Sequence, residues 1–247
     1  VYTGAAPMGQ GTRTMIAQIV AEQLGGDMDN IIVTMGDTAH VSMGIGGFGS
    51  RQTITAGSSA HTAAVEVRDK ALKIAANMLE AAVEDLEIVG GDIRIGGVPD
   101  MSVSLGEVAH AVAGTPGYAL PDGISPGLES TSNFITDALA YCNGCHVCEV
   151  EVDAETGGVK ILKYVVVHDS GRLINPTIVT GQVQGGVAHG IGNAMFEWMG
   201  YDDDAQPVTT NFAEYLLPTA PELPNFNIIF SESPSPLNPL GVKGAGE

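Results

Sequence analysis

The chain has 247 residues, enough for one large domain or two ordinary ones, and its 44% hydrophobic against 16% charged residues favour extensive packing or large subunit contacts. Ten Lys and Arg residues are set against 29 Asp and Glu residues, a net charge of −19 that repels phosphate backbones and anionic membrane surfaces. We therefore expect no binding to nucleic acid.

The chain shows no signal for a membrane or a secreted location. No stretch approaches the roughly 20 continuous apolar residues of a membrane helix, and the start lacks a signal peptide. The first residue is not Met, so we expect a processed start or a piece of something longer. Three cysteines lie close together, which does not suit a secreted disulfide framework. We expect a reducing, cytoplasmic compartment and no membrane span.

The first part of the chain alternates strands and helices. The hydrophobic periodicity predicts, in order, a strand at 1–3, a helix at 12–24, a strand at 30–35, a helix at about 60–84, a hairpin at 86–97 and a Ser-capped helix at 104–112. A Gly/Ser/Thr-rich loop at 44–59 runs directly into the long helix.

The stretch 114–130 is rich in Pro and Gly and is interpreted as a linker or surface excursion. It divides the predicted subdomains, 1–115 and 116–247. The elements expected after it are strands at 146–153 and 159–167 around an ETGG turn, a helix at about 176–199 and a strand near 227–231.

Two glycine-rich loops could hold a ligand. In Met8–Thr12, the glycines on either side of Gln10 allow backbone N–H groups to approach a ligand, and the segment opens a helix, whose amino end favours anions. Residues 49–58 offer hydroxyls, amides and Arg51, which would suit a phosphate. The alternatives are a tight turn for the first loop and a helix-capping segment for the second.

The helix at 176–199 contains the glycine-studded segment GQVQGGVAHGIG at 181–192. Glycine inside a helix costs about 1 kcal/mol relative to alanine, so the segment indicates close approach by a backbone or a cofactor. His189 could hydrogen-bond a ligand, or it could be a satisfied core histidine.

The cysteines Cys142, Cys145 and Cys148 have the CxxCxxC spacing of an iron–sulfur or zinc site. Cys145 and Cys148 would point to opposite faces of a strand, and the chain has no fourth cysteine. We expect small thiols, buried or partly buried, with metal binding as the alternative.

The motifs MGQG, GSRQTITAG, EVEVDAETGGVKI, HDSGRLINP, GQVQGGVAHGIG and NPLGVKGAGE occur in the order found in the molybdenum-binding subunit of the xanthine oxidase family. The chain resembles the C-terminal half of that subunit, especially in the branch similar to aerobic carbon monoxide dehydrogenase. This resemblance implies an α+β fold of two subdomains with mixed β-sheets and flanking helices.

The resemblance also implies roles for particular residues. Those expected to contact a molybdenum–molybdopterin cofactor, with a cytosine dinucleotide extension, are Gly9, Gln10, Gly11, Thr53, Ile54, Thr55, Gly57, Gln184, His189 and Lys243. His189 stands where many relatives carry Gln. Glu247 would be the catalytic base of a hydroxylase that takes its oxygen from water. No residue is assigned as a metal ligand.

The family's glycine-rich N-terminal segment and its Arg-bearing loop are missing from this sequence. We expect the N-terminal half of the molybdenum subunit, an iron–sulfur subunit and an FAD subunit as partners, and the chain alone to be inactive. The substrate would be a small molecule with an electron-poor carbon, such as an N-heterocycle or aldehyde. The alternative is a non-catalytic cofactor-binding or assembly protein that keeps the fold.

Overall fold

The computed structural model describes residues 1–114 and 116–246, which form two compact units. Of these residues, unit 1 comprises 1–114, 116–139 and 236–240, and unit 2 comprises 140–235 and 241–246. Both units combine helices with sheets. The predicted α+β class is therefore confirmed.

Except for one additional strand, the helices and strands follow one another in the order that the sequence predicts. The helices are α1 (Thr12–Leu24), α2 (Ser58–Leu79), α3 (Leu105–Val112) and α4 (Pro176–Met195). The strands are β1 (Tyr2–Thr3), β2 (Thr34–Met35), β3 (Leu86–Val89), β4 (Asp92–Ile95), β5 (Val98–Ser104), β6 (Asn143–Val152), β7 (Val159–Asp169) and β8 (Phe226–Phe230).

Unit 1 contains a parallel β1–β2 pair and an antiparallel sheet in the order β3-β4-β5. One core cluster of this unit joins α2, α3 and β4 through Ala71, Ile74, Ala75, Ile93, Val108 and Val112. Helix α1 packs on α2. Strand β5 was not predicted, because most of its residues are exposed and it contains Pro99, which is typical of an edge strand.

The Pro/Gly-rich stretch is part of unit 1 rather than a linker. Side chains from it pack against the core cluster, and Lys70 donates a hydrogen bond from Nζ to the carbonyl of Gly127 at 2.5 Å. The amide of Gly127 in turn donates to the carbonyl of Val112. The units therefore divide at 139/140, and the predicted boundary at 115/116 is too early, because turn-rich composition does not reveal these contacts.

Unit 2 is built on a mixed sheet in the order β6-β7-β8, with β6–β7 antiparallel and β7–β8 parallel. Helix α4 covers one face through Val183, Val187 and Ile191, which pack around the fully buried Val166 of β7. The predicted pair of strands around the ETGG turn is confirmed. Helix α4 ends at Met195, whereas the sequence predicted an end at about residue 199.

Candidate functional site

The start of α1 in unit 1 presents open backbone at Gly9. A side chain there would meet no atom within 4 Å, and the residue has φ of 98°, which glycine adopts without strain. Gly11, the N-terminal cap of α1, is also left-handed, and no side chain caps this helix end. The backbone of Gly9 is therefore free to approach a ligand.

The side chain of Gln10, predicted as a ligand contact, is engaged inside unit 1. Its Oε1 accepts a hydrogen bond from the amide of Met8 at 2.6 Å, and its Nε2 donates to Oε1 of Gln52 at 2.8 Å. Gln10 thus shapes the loop that carries Gly9.

Gln52 connects these segments, although sequence reasoning gave it no role. Its Oε1 also accepts from the hydroxyl of Thr12 at 2.7 Å, and its Nε2 donates to the carbonyl of Ala6 at 2.9 Å. The residue is 8% exposed. One buried amide therefore joins the MGQG loop, the start of α1 and the start of α2.

The predicted Thr53–Gly57 segment forms a π-helical turn that continues into α2. Such turns occur often at functional sites. Ile54 is buried, and a side chain at Gly57 would contact Ile19 and Met15 of α1. Thr55 bonds back to the carbonyl of Arg51 at 3.0 Å, and Thr53 is half-buried. Ile54 and Gly57 could therefore contact a ligand only through their backbone.

Two polar atoms beside this turn are buried without a hydrogen-bond partner. They are the hydroxyl of Ser58, a fully buried residue, and Nε of Arg51. The guanidinium of Arg51 stacks on the ring of Phe48, 3.7 Å from its centroid. Buried polar groups are usually paired, so this pair of atoms fits a ligand with acceptor oxygens.

In unit 2, the predicted residues Gln184 and His189 are exposed on α4. His189 is therefore not a core histidine. Gly181 and Gly185 lie near Gln184 on the helix surface, and a side chain at either glycine would meet no atom within 4 Å. The low helix propensity of Gly181 and Gly185 is therefore not offset by packing contacts within unit 2.

Gly186 has a different environment from these exposed glycines. A side chain there would begin 2.6 Å from the carbonyl oxygen of Gly246, and one at Gly246 would begin 2.8 Å from the carbonyl of Gln182. The backbone at Gly246 therefore lies directly on the backbone of α4.

Gly186→Ala is expected to destabilise unit 2 by about 1–3 kcal/mol, because the new methyl group overlaps a backbone oxygen. Gly181→Ala is the matched control and should stabilise the cofactor-free protein by about 0.5–1 kcal/mol, since alanine is the better helix former. Urea unfolding measures both. Equal effects of the two substitutions would rule out the proposed overlap.

Lys243, predicted as a cofactor contact, bonds within unit 2. Its Nζ donates to Oδ2 of Asp169 at 2.8 Å and to the hydroxyl of Ser233 at 2.7 Å. Burial alone would raise the pKa of Asp169, but hydrogen bonds from Lys243, Ser233 and the Gly171 and Ser233 amides hold that pKa well below its usual range. Glu247 lies outside the described residues.

The cysteines differ in part from expectation. Cys142 is half-buried as predicted, but Cys145 and Cys148 are exposed, because every residue of β6 is exposed. All three thiols are free.

Within residues 1–114 and 116–246, no group of three or more His, Cys, Asp or Glu side chains is arranged to hold a metal ion. None of the helices in these ranges is long and apolar enough to cross a membrane.

Comparison with known proteins gives a consistent result. A family model described as a molybdopterin cofactor-binding domain matches residues 1–224. The nicotine 6-hydroxylase large subunit of Paenarthrobacter nicotinovorans is 40% identical over 100% of this chain and 30% of its own length. The carbon monoxide dehydrogenase large chain of Afipia carboxidovorans is 36% identical over 99% of this chain and 30% of its own.

Among solved structures, quinoline 2-oxidoreductase of Pseudomonas putida superposes with a TM-score of 0.88 at 37% identity. The match covers 99% of this chain and 31% of that one. The chain therefore spans less than a third of the length of these similar proteins.

Proposed function

This chain belongs to the molybdopterin cofactor-binding family of xanthine oxidase-type enzymes, and on that premise we propose that it is a component of a molybdenum hydroxylase or dehydrogenase. The proposed reaction converts R–H and water into R–OH, two protons and two electrons. The electrons pass to iron–sulfur and FAD groups on partner chains or domains. The substrate is a small molecule with an electron-poor carbon.

The residues of unit 1 fit a cofactor with a dinucleotide extension. Open backbone at Gly9, together with the capping residue Gly11, can donate amide hydrogens to the pterin. The unpaired hydroxyl of Ser58 and Nε of Arg51 are suited to phosphate or ribose oxygens. The π-helical turn with Thr53 and Thr55 lies between Arg51 and Ser58, the first residue of α2. We propose the cytosine form of the dinucleotide.

The observation that carries the proposal in unit 2 is the open surface of α4. Gly181 and Gly185 leave the helix backbone uncovered, with the amide of Gln184 and the imidazole of His189 on the exposed surface. A flat pterin can approach such a helix closely and find polar groups beside it. This contact with the pterin would explain why these positions are glycine, although no other part of the fold packs against them.

When bound, the molybdenum cofactor supplies the redox chemistry, while this chain orients the reactants and moves the proton. We propose that the Glu247 carboxylate accepts the proton released by the attacking, water-derived oxygen. A general base must lie within hydrogen-bond reach of that oxygen. Gly246, which precedes Glu247 in the sequence, lies against Gly186 and Gln182 of α4.

The proposal includes partner chains and a cytoplasmic location. The chain exposes 14630 Å², whereas two separate globular domains of half its mass would together expose about 12,500 Å². Val147, Val150 and Val152 on β6 are among the exposed apolar side chains. Apolar side chains exposed together on one strand are typical of surfaces that partners cover. Free thiols persist in a reducing compartment.

Gly185→Leu tests whether α4 contacts the cofactor. The substitution fills open space, so the protein should fold normally, but molybdenum bound per purified protein should fall several-fold because the side chain occupies the pterin's place. The readout is elemental analysis of the full-length protein assembled with its partners. Glu155→Leu, in the exposed ETGG turn, is the control. Full molybdenum content in Gly185→Leu would refute a cofactor contact on this surface.

A further inference from the structure

Three side chains of unit 2, those of Asp169, Ser233 and Lys243, form a hydrogen-bonded cluster between parts of the chain that are distant in sequence. The ammonium of Lys243 donates to Oδ2 of Asp169 and to the hydroxyl of Ser233, and that hydroxyl donates to the same carboxylate oxygen at 2.6 Å. The second oxygen, Oδ1, accepts from the amides of Gly171 at 2.8 Å and Ser233 at 3.2 Å. Asp169 thus accepts four hydrogen bonds.

Backbone contacts fix the segment Gly241–Gly246 at adjacent points. The amide of Lys243 donates to the carbonyl of Ser170 at 2.7 Å, and the amide of Gly244 donates to the carbonyl of Ala140 at 3.2 Å. Val242 forms an antiparallel bridge with Gly171 and is 2% exposed. The segment is therefore held on one side by β7 and the residues after it.

The ion pair in this cluster is largely withdrawn from water. The side chains of Lys243 and Asp169 are 12% and 14% exposed, whereas those of the surface pair Arg94–Glu87 are 33% and 48% exposed. Surface pairs contribute little, but removal of one partner from a buried pair leaves an uncompensated charge. Loss of either Asp169 or Lys243 should therefore loosen the segment, although its backbone hydrogen bonds remain.

We propose that Asp169 is a positioning residue, which holds the Lys243 ammonium together with Ser233 and so fixes the segment Gly241–Gly246 that leads into Glu247. Lys243 is then an internal tether rather than the cofactor contact that the sequence predicts. The inference rests on the proposed function in one respect, namely that Glu247 is the base whose position matters.

The test compares Asp169→Asn, Lys243→Met and the double variant in the full-length protein with its partners. Hydrogen–deuterium exchange of the peptide spanning 241–246 should become about tenfold faster in each single variant, as local opening becomes easier. The double variant should exchange no faster than the singles, because both substitutions break one interaction. Glu87→Gln is the control and should leave this peptide unchanged.

Two further readouts separate positioning from general stability. Exchange in β6 and β7 should stay at the parent level, and molybdenum content should be retained while the electron paramagnetic resonance signal of dithionite-reduced molybdenum changes shape. Unchanged protection of 241–246, or equal loosening throughout unit 2, would overturn the inference. A parent protein without molybdenum would refute the proposed function, while the exchange result would still decide whether the cluster holds the segment.

Discussion

Glu247→Gln is expected to lower kcat by about 10²–10⁴-fold, the range attributed to a general base. Glutamine has nearly the same size and shape but cannot accept a proton at neutral pH. Molybdenum content should remain at the parent level, because the carboxylate is proposed to accept a proton and not to hold the cofactor. Nicotine and quinoline, with an artificial electron acceptor, are the probes for turnover.

Glu155→Gln provides the matched control for this experiment, since it makes the same chemical change in the exposed β6–β7 turn. It should leave both kcat and molybdenum content unaltered. If Glu247→Gln retains full turnover, the catalytic assignment is wrong. If the parent binds molybdenum but turns over none of the probes, the result favours the alternative of a non-catalytic cofactor-binding or assembly protein.

Gln52→Leu is expected to lower the free energy of unfolding by about 2–3 kcal/mol. The substitution leaves the hydroxyl of Thr12 without its partner, and the amide of Gln10 and the carbonyl of Ala6 keep only the longer 3.4 Å hydrogen bond to each other. A buried polar group left unpaired costs about 1–3 kcal/mol. Urea unfolding followed by circular dichroism measures the change. The loop that carries Gly9 should also exchange its amide hydrogens faster.

Gln206→Leu is the control for Gln52→Leu, because this glutamine is exposed. A change within about 0.5 kcal/mol is expected there, as for most surface substitutions. If the two variants lose similar amounts of stability, the Gln52 side chain does not connect these segments in solution.

Sequence reasoning succeeded where structure depends on near neighbours. Helix α1 was predicted with its observed bounds, because its apolar periodicity and the flanking glycines are local signals. Helix α3 begins after Ser104 as expected, and the capping box between Ser104 and Glu107 is a contact between residues three apart. The order of the motifs also indicated the family, because it can be read directly along the sequence without knowledge of tertiary contacts.

Features that depend on long-range contacts were missed. Gln52 meets Gln10 across 42 residues, and Lys243 meets Asp169 across 74, so neither partner can be identified from spacing. The cysteines of β6 were expected to be at least partly buried, but a strand pattern does not reveal whether another layer covers the strand. The packing of the 114–130 stretch on unit 1 was hidden by its turn-like composition.

Molybdenum and pterin analysis of the full-length protein, purified with its partners under anaerobic conditions, decides whether it holds the cofactor. We expect equimolar molybdenum and molybdopterin, and release of CMP on acid hydrolysis. A folded, intact complex that contains neither molybdenum nor pterin would contradict this expectation.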